Sequence, residues 1–240
     1  MNLVADIGNS GVKLALFDNQ VLTGTLRTEN LTTTVLDKFC GDAVIEKMIV
    51  SGVKDIPGFL EEFAGKRSAF YHLLTYRSVI PFSINYKTPE TLGTDRIAAL
   101  AGAFFLYPGS DMLVIDAGTA ITFDYIINSI YEGGNISPGI DMRFKALNSF
   151  TGRLPLLTRQ ESFSFPGETT NDAIIAGVVS GVVYEINEYI RTFEEKHREL
   201  KVILTGGDGV FLKKRLEAEV IYVPDLVTIG LNFILEKNAC

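Results

Sequence analysis

The chain has 240 residues, of which 47% are hydrophobic and 21% are charged, a balance typical of a globular protein that buries a sizeable core. Its formal net charge of −7 disfavours nucleic acid as the main partner, because DNA- and RNA-binding domains usually present a basic face. The two cysteines, Cys40 and Cys240, form no C-x-x-C pair, which argues against a metal or disulfide framework and fits a reducing compartment.

Targeting and membrane signals are weak in this sequence. The N-terminus lacks a basic segment followed by an apolar one, so we expect no signal peptide. The longest apolar candidate, residues 173–183, is interrupted by glycine and serine and falls short of the roughly 18 residues that span a bilayer. The sequence therefore predicts a cytoplasmic protein that does not bind membranes.

In chain order, the first half predicts an α/β unit that begins with a β-hairpin. Apolar runs at 2–7 and 12–17 form its arms, and Gly8 to Gly11 form its turn. Further strands are predicted at 20–27, 46–53 and 69–75. Helices are predicted at 31–40 and at 55–66, the second with Asp55 as its N-cap. A loop rich in Pro, Thr and Gly, residues 81–96, leads into a helix that begins at Asp95.

The second half repeats this plan. Strands are predicted at 113–118, 119–126, 131–140 and 201–207, and helices at 141–150, 170–196 and 209–219. The pattern Leu3-Val4-x-Asp6-x-Gly8 recurs as Leu113-Val114-x-Asp116-x-Gly118, and residues 49–53 resemble residues 202–207. Internal similarity of this kind indicates duplication. We expect two related domains, 1–111 and 112–240, around a central cleft that binds a small molecule.

The two Asp-x-Gly turns suit phosphate binding. Tight turns of glycine and small polar residues present backbone N–H groups that bind anions, and glycine lets a phosphate approach the backbone. Asn9, Ser10 and Thr119 add side-chain donors, and Lys13 adds a positive charge. An aspartate beside each turn suits a hydrated cation, since Mg²⁺ prefers one or two carboxylates together with phosphate oxygens. The alternative is that both turns are ordinary hairpin connections.

A third glycine-rich segment, LTGGDG at residues 204–209, follows a buried strand and opens a helix. Its glycines would let a base or ribose approach the backbone, and a plain strand-to-helix loop is the alternative. Neither a Walker A loop nor a G-x-G-x-x-G fingerprint occurs in the sequence.

Taken together, six motifs resemble those of the type III pantothenate kinases, members of the actin, Hsp70 and sugar-kinase superfamily. They are DIGNS (6–10), GTDR (93–96), DAGTA (116–120), GGNISPG (133–139), TTNDAIIAG (169–177) and LTGG (204–207). The resemblance runs nearly end to end. Ser10 is a departure, because the family usually has threonine there, although serine keeps the hydroxyl.

The resemblance implies two ribonuclease-H-like domains and a kinase that phosphorylates pantothenate from ATP, the first step towards coenzyme A. It also implies a homodimer, Mg²⁺, and a monovalent cation such as K⁺ or NH₄⁺.

The resemblance further implies a role for particular residues. The ATP-binding positions are Asp6, Ile7, Gly8, Asn9, Ser10, Gly11, Val12, Lys13, Thr119 and Gly206. The pantothenate-binding positions are Tyr86, Gly93, Thr94, Asp95, Arg96 and Thr170. Asp95 is the expected general base and Asp116 the expected ligand of the monovalent cation, while Asp6 is a candidate ligand of Mg²⁺.

The side-chain chemistry of the predicted substrate-binding residues allows both a functional and a purely structural interpretation. A carboxylate such as Asp95 can accept the proton of an attacking hydroxyl, but Asp is also a common N-cap. The guanidinium of Arg96 can pair bidentately with a carboxylate, but it could equally be a solvated helix charge. Thr170 could be only the N-cap of its helix. That helix is apolar on nearly every face, which predicts a core position together with either a dimer contact or contacts inside the chain.

Two other functions remain open from the sequence alone. One is a different small-molecule kinase of the same superfamily, acting on a sugar or a carboxylic acid. The other is a non-enzymatic ATP-gated scaffold or regulator. ATP turnover that ignores small acceptors would support the second.

Overall fold

The computed structural model describes residues 1–52, 55–197 and 199–239 and divides into two compact units. The first unit comprises residues 1–109, 128–132 and 225–240, and the second comprises residues 110–127 and 133–224. The main division falls close to the predicted domain boundary at 111. Residues 128–132 and the C-terminal segment belong to the first unit. Cys240 lies outside the described residues.

The described residues form strands and helices at the following positions. The strands are β1 Asn2–Gly8, β2 Gly11–Asp18, β3 Val21–Thr28, β4 Lys47–Gly52, β5 Phe70–Leu73, β6 Ser83–Ile84, β7 Met112–Ala117, β8 Ala120–Ile127, β9 Ile130–Pro138, β10 Lys201–Thr205 and β11 Ile221–Tyr222. The α-helices are α1 Thr33–Cys40, α2 Phe59–Arg67, α3 Thr94–Leu106, α4 Ile140–Phe150, α5 Thr170–Glu194, α6 Gly209–Lys213 and α7 Leu226–Asn238.

The first unit is built on a sheet of order β3-β2-β1-β4-β5. β1 pairs antiparallel with β2 and parallel with β4, so it lies at the centre of the sheet. The central strand is almost continuously apolar and buried, which is typical of a strand covered on both faces. Leu36, Leu60 and Phe63 of α1 and α2 join the core made by these strands.

Helix α7, which the sequence analysis did not predict, packs on α3 and on strands β1 and β4. The two helices approach closely through glycine: a Cβ at Gly230 would overlap the carbonyl oxygen of Ala98. Buried Asn2 of β1 donates a hydrogen bond to Asn232 of α7 at 2.8 Å. The C-terminal helix is therefore an integral part of the first unit.

The second unit has the strand order β11-β10-β7-β8-β9. Its central strand β7 pairs antiparallel with β8 and parallel with β10, which repeats the arrangement around β1. Helix α5 lies against this sheet and supplies much of the core through Ile175, Val179, Val182 and Ile186. Short α6 spans residues 209–213, so the predicted helix at 209–219 is too long.

Two predicted helix caps are wrong. The N-cap of α2 is Gly58 rather than Asp55, and no side chain caps this helix. Thr169, not Thr170, caps α5, because its Oγ1 accepts a hydrogen bond from the backbone N–H of Asp172. Helix α5 is also long and apolar enough, by length and composition, to cross a membrane, although half of its apolar window is buried in the protein. A core helix passes the same test.

Candidate active site

Asp6 lies at the end of β1, where the sheet register places two polar residues beside it. Lys13 of β2 is its antiparallel partner and Ser51 of β4 its parallel partner. The turn that follows is open, with Asn9 and Ser10 exposed. Gly11 has φ +144°, and a Cβ there would lie 2.9 Å from the carbonyl oxygen of Thr28, so this position requires glycine. The first turn thus presents exposed donors next to a half-buried carboxylate.

The carboxylate of Asp95 is close enough to Asp6 to affect its pKa. Burial and, to a smaller extent, the negative charge of Asp95 raise the pKa of Asp6 to about 7, although Lys13 and a hydrogen bond with Ser51 oppose the shift. A cation bound near the pair would favour the ionised form of Asp6. Asp6 of the predicted ATP-binding segment and the predicted general base Asp95 are therefore close enough for their charges to interact.

The GTDR segment begins α3. Gly93 is the N-cap and makes no side-chain cap, so Asp95 is not the N-cap that the alternative reading proposed. The Oδ1 atom of Asp95 accepts a hydrogen bond from the backbone N–H of Arg96 at 2.8 Å. Ser51 donates to Thr94 Oγ1 at 3.0 Å, which ties the start of α3 to the end of β4. Asp6, Ser51, Thr94 and Asp95 are thus held in fixed relation.

Arg96 is buried, with only 6% of its surface exposed, so it is not a solvated helix charge. Its Nη2 atom donates a hydrogen bond to the hydroxyl oxygen of Tyr131 at 2.8 Å. The ring of Tyr131 lies 5.7 Å from the ring of Tyr86, measured between centroids. The first unit therefore connects two predicted substrate residues, Tyr86 and Arg96, through Tyr131.

Lys13 forms an ion pair with Asp225, its Nζ atom lying 2.8 Å from Oδ1 of the carboxylate. Asp225 is the N-cap of α7. Since the sequence analysis missed α7, it also missed this partner of a predicted phosphate-binding lysine. The ion pair holds the lysine side chain beside β1.

The second turn lies in the second unit. Asp116 stands beside Thr122 of β8 and Thr205 of β10. The backbone N–H of Asp208 donates to the carbonyl oxygen of Ala117 at 2.9 Å, which draws the LTGGDG loop against the turn. Gly206 has φ +93°, and a Cβ there would overlap Ala117 and the side chain of Asp116. Three predicted residues, Asp116, Thr119 and Gly206, thus belong to one compact arrangement.

Thr170, the remaining predicted substrate residue, opens α5 and is exposed. It lines an apolar cavity of about 870 Å³ between α4 and α5, together with Leu147, Phe150 and Ala173. The structure does not join Thr170 to the other predicted substrate residues within one unit.

Within the described residues, no group of three or more His, Cys, Asp or Glu side chains forms a ready-made metal site. Asp6 at the end of β1 and Asp95 at the start of α3 offer two carboxylates whose charges interact. Because Mg²⁺ is usually held by one or two carboxylates together with phosphate oxygens and water, these residues fit a cation that arrives with a nucleotide. Asp116 offers a single carboxylate in the second unit.

Comparison with known proteins decides the family. The model of the family described as type III pantothenate kinase matches residues 2–192. A type III pantothenate kinase from Phocaeicola vulgatus is 40% identical over 239 residues, which are 99% of this chain and 99% of that protein. The chain belongs to the type III pantothenate kinases. This confirms the resemblance read from the six motifs.

Solved structures support the same fold. A Baf family protein from Campylobacter jejuni is 29% identical, with a TM-score of 0.62 over 99% of this chain and 98% of that one. Glucokinase from an Antarctic psychrotroph shares 12% identity, with a TM-score of 0.50 over 98% of each chain, which shows the fold alone. The α/β fold predicted for this type III pantothenate kinase, that of the actin and sugar-kinase superfamily, is confirmed.

Three site neighbours escaped the sequence reasoning in this type III pantothenate kinase. Ser51 belongs to an apolar strand and Asp225 precedes an unpredicted helix, so neither carried a signal. Tyr131 lies two positions before the first residue of the GGNISPG motif. Nothing in the sequence indicates that its side chain contacts Arg96. Ser51 is recognised as a neighbour of Asp6 only through the parallel register of β1 and β4.

Proposed function

We propose that this protein transfers the γ-phosphoryl group of ATP to the primary hydroxyl of pantothenate, giving 4′-phosphopantothenate in the first step of coenzyme A biosynthesis in the cytoplasm. Family membership supports the activity and its substrates. The observation that carries the residue assignment is the placement of Asp95 and buried Arg96 at the start of α3, next to Asp6.

Asp95 is the proposed general base. A phosphoryl transfer requires an acceptor hydroxyl in line with the γ-phosphorus, and a nearby carboxylate takes the proton as the new P–O bond forms. Asp95 is half-buried, and one of its oxygens is fixed by the N–H of Arg96. That bond restricts the rotation of the carboxylate, which favours a constant aim at the substrate.

Arg96 is the proposed partner of the pantothenate carboxylate. A guanidinium group binds a carboxylate through two parallel hydrogen bonds, which fixes the orientation as well as the affinity. Tyr86, whose ring packs on that of Tyr131, and the backbone of Gly93 and Thr94 are the other proposed substrate contacts in this unit. If Arg96 binds the carboxylate at one end of pantothenate, the substrate is oriented so that the hydroxyl at its other end can face Asp95.

The two turns are proposed to hold ATP. Residues 6–13 would bind its phosphates, and Thr119 and Gly206 would contact the nucleotide from the second unit's turn. Mg²⁺, when bound, neutralises phosphate charge, and Asp6 is the proposed carboxylate beside it. Asp116 is the proposed ligand of K⁺ or NH₄⁺. The raised pKa of Asp6 fits a site completed by a cation.

A homodimer is part of the proposal. The second unit exposes several large apolar side chains, with 89% of Phe150, 65% of Phe165 and 58% of Tyr184 accessible. Phe150 also borders the apolar cavity that Thr170 lines. We propose that these side chains take part in a contact between two copies, since exposed apolar surface commonly marks protein–protein contacts. Contact with a second copy would cover them and would give Thr170 a place at a substrate pocket.

The test is a coupled ADP-release assay with ATP, Mg²⁺ and pantothenate, run in K⁺ and again in Na⁺. We expect turnover that requires pantothenate and K⁺, and a fall of about 10²- to 10⁴-fold in kcat for Asp95→Asn. Glu61→Gln, which neutralises an exposed acid in the first turn of α2, is the matched control and should keep full activity.

Other outcomes would redirect the assignment. ADP release that proceeds equally without pantothenate would contradict the substrate and favour another kinase or an ATP-gated scaffold. A fully active Asp95→Asn variant would remove Asp95 from the chemistry while leaving the activity in place. A monomer by light scattering at micromolar concentration would contradict the homodimer.

A further inference from the structure

Buried Arg96 depends on neighbouring groups for its orientation. Taking a guanidinium out of water is costly unless its N–H groups are hydrogen-bonded. One of these bonds runs from Nη2 to the hydroxyl oxygen of Tyr131 at 2.8 Å. A hydrogen bond on a planar, rigid group fixes the direction in which its other donors point.

Tyr131 is fully buried and contacts the predicted substrate site in three ways. Its hydroxyl accepts the bond from Arg96. Its ring lies against that of Tyr86, with an interplanar angle of 37°. Its backbone carbonyl accepts a hydrogen bond at 2.9 Å from the N–H of Asn85, the residue before Tyr86.

The strand pairing explains how one residue reaches both segments. Ile84 of β6 is in register with Tyr131 of β9, and Ser83 with Ile130. Because of this short parallel pairing, the segment that ends in Tyr86 lies beside Tyr131. The same residue therefore fixes the backbone before Tyr86, the ring of Tyr86 and the guanidinium of Arg96.

We propose that Tyr131 is a positioning residue that aims the Arg96 guanidinium at the substrate carboxylate and thereby sets the preference for acceptors that carry a carboxylate. This inference rests on the proposed role of Arg96 in binding pantothenate. Tyr131 acts through Arg96 and Tyr86. It has no step of its own in phosphoryl transfer.

The reasoning is geometric. Bidentate pairing needs the guanidinium plane and the carboxylate plane to coincide, so a rotation that breaks one of the two bonds weakens recognition sharply. Without the Tyr131 hydroxyl, the guanidinium loses one fixed contact and samples more orientations. The affinity for a substrate carboxylate then falls, whereas the affinity for an acceptor that makes no contact with the guanidinium stays the same.

The experiment compares Tyr131→Phe with wild type on two acceptors. One is pantothenate, and the other is its analogue with a CH₂OH group in place of the carboxylate. We expect the KM for pantothenate to rise on the order of tenfold, as for loss of a hydrogen bond to a charged group. The kcat, the KM for ATP and the KM for the alcohol analogue should each stay within about twofold.

Two further variants make the result specific. Tyr125→Phe is the matched control, because it removes another buried tyrosine hydroxyl, one that accepts a hydrogen bond from Asn135 at 2.8 Å, and it should leave all these constants unchanged. Arg96→Lys removes the planar fork. If Tyr131 acts through Arg96, adding Tyr131→Phe to Arg96→Lys should raise the KM for pantothenate no further.

The outcomes separate this inference from the proposed site. A large rise in KM for Arg96→Lys with none for Tyr131→Phe would overturn the inference and leave the proposed site intact. An unchanged KM for Arg96→Lys would overturn both. Equal rises for pantothenate and the alcohol analogue in Tyr131→Phe would show a general loss of packing, and the positioning role would be rejected.

Discussion

The two Asp-x-Gly turns share a backbone and differ in chemistry. β1 and β7 show the same order of buried residues, with the aspartate as the half-buried fifth residue of each strand. Around Asp6 the neighbours include Lys13 and Asp95, both charged. Around Asp116 the neighbours in register are the hydroxyl residues Thr122 and Thr205. The two units thus share a scaffold, and the charged neighbours in this comparison lie beside Asp6 in the first unit.

Two glycines near the turns differ in how much space surrounds them. A Cβ at Gly8 would meet nothing nearer than the carbonyl oxygen of Gly11, at 3.4 Å. A Cβ at Gly206, which belongs to the loop that packs on the second turn, would overlap the backbone of Ala117. Gly8 therefore has room for a methyl group, whereas Gly206 has none. This difference predicts distinct consequences for replacement by alanine at the two positions.

The largest expected difference is in catalysis. Asp6→Asn should lower kcat on the order of 1000-fold, about 4 kcal/mol, because it removes a charge from the proposed phosphate and Mg²⁺ site. Asp116→Asn should instead raise the K⁺ concentration needed for half-maximal activity, with a smaller loss of kcat at saturating K⁺. ADP release measured over a K⁺ titration separates the two effects. If both variants responded alike to K⁺, the division of roles between the turns would be wrong.

The next effect is on stability. Gly206→Ala should destabilise the protein by about 3 kcal/mol, because φ is +93° and the new methyl group has no space. Gly8→Ala should change the free energy of unfolding by less than about 1 kcal/mol while weakening ATP binding. Urea unfolding measures the first quantity, and the KM for ATP measures the second. Equal stability losses at both glycines would contradict the contrast in packing.

The sequence revealed the duplication and most of the elements because both depend on local patterns. The apolar runs that form β1 and β7, each ended by Asp-x-Gly, are visible without any structure. The recurrence of this pattern identified both turns as candidate sites. The order of motifs then identified the family, which the comparisons confirmed.

What the sequence could not show depends on contacts between distant segments. Helix α7 was missed, although it packs on α3 and although Pro224 and its N-cap Asp225 separate it from the preceding strand. Without α7, the Lys13–Asp225 ion pair could not be foreseen. Tyr131 reaches Arg96 through the register of β6 and β9, which no periodicity encodes.

The third prediction concerns pH and uses the charge difference between the turns. The folded-state pKa of Asp6 is about 7, above its ordinary value of 3.8. The folded protein therefore binds more protons than the unfolded chain between these values, and stability from this group falls as pH rises from about 4 to about 7. With partial solvent screening, we expect a loss on the order of 2 kcal/mol.

The measurement is urea unfolding of wild type and Asp6→Asn, in a chelating buffer without nucleotide, from pH 5 to pH 8. Wild type should lose stability relative to the variant as pH rises, since the variant cannot ionise at this position. A difference that stays constant across this range would show that Asp6 does not titrate near neutrality.

The smallest effect should come from Ser51, the buried hydroxyl that stands between Asp6 and the start of α3. Ser51→Ala removes its bond to Thr94 at 3.0 Å and should cost about 1 kcal/mol of stability. It should also lower kcat several-fold, because Asp6 and Asp95 lose their shared anchor. Ser68→Ala removes a comparable bond, to the carbonyl oxygen of Ala64 at 2.9 Å, and should reduce stability alone. Equal kcat values for the two variants would mean that Ser51 serves the fold and not the site. A kcat loss confined to Ser51→Ala would show that β4, through Ser51, contributes to activity at the site around Asp6.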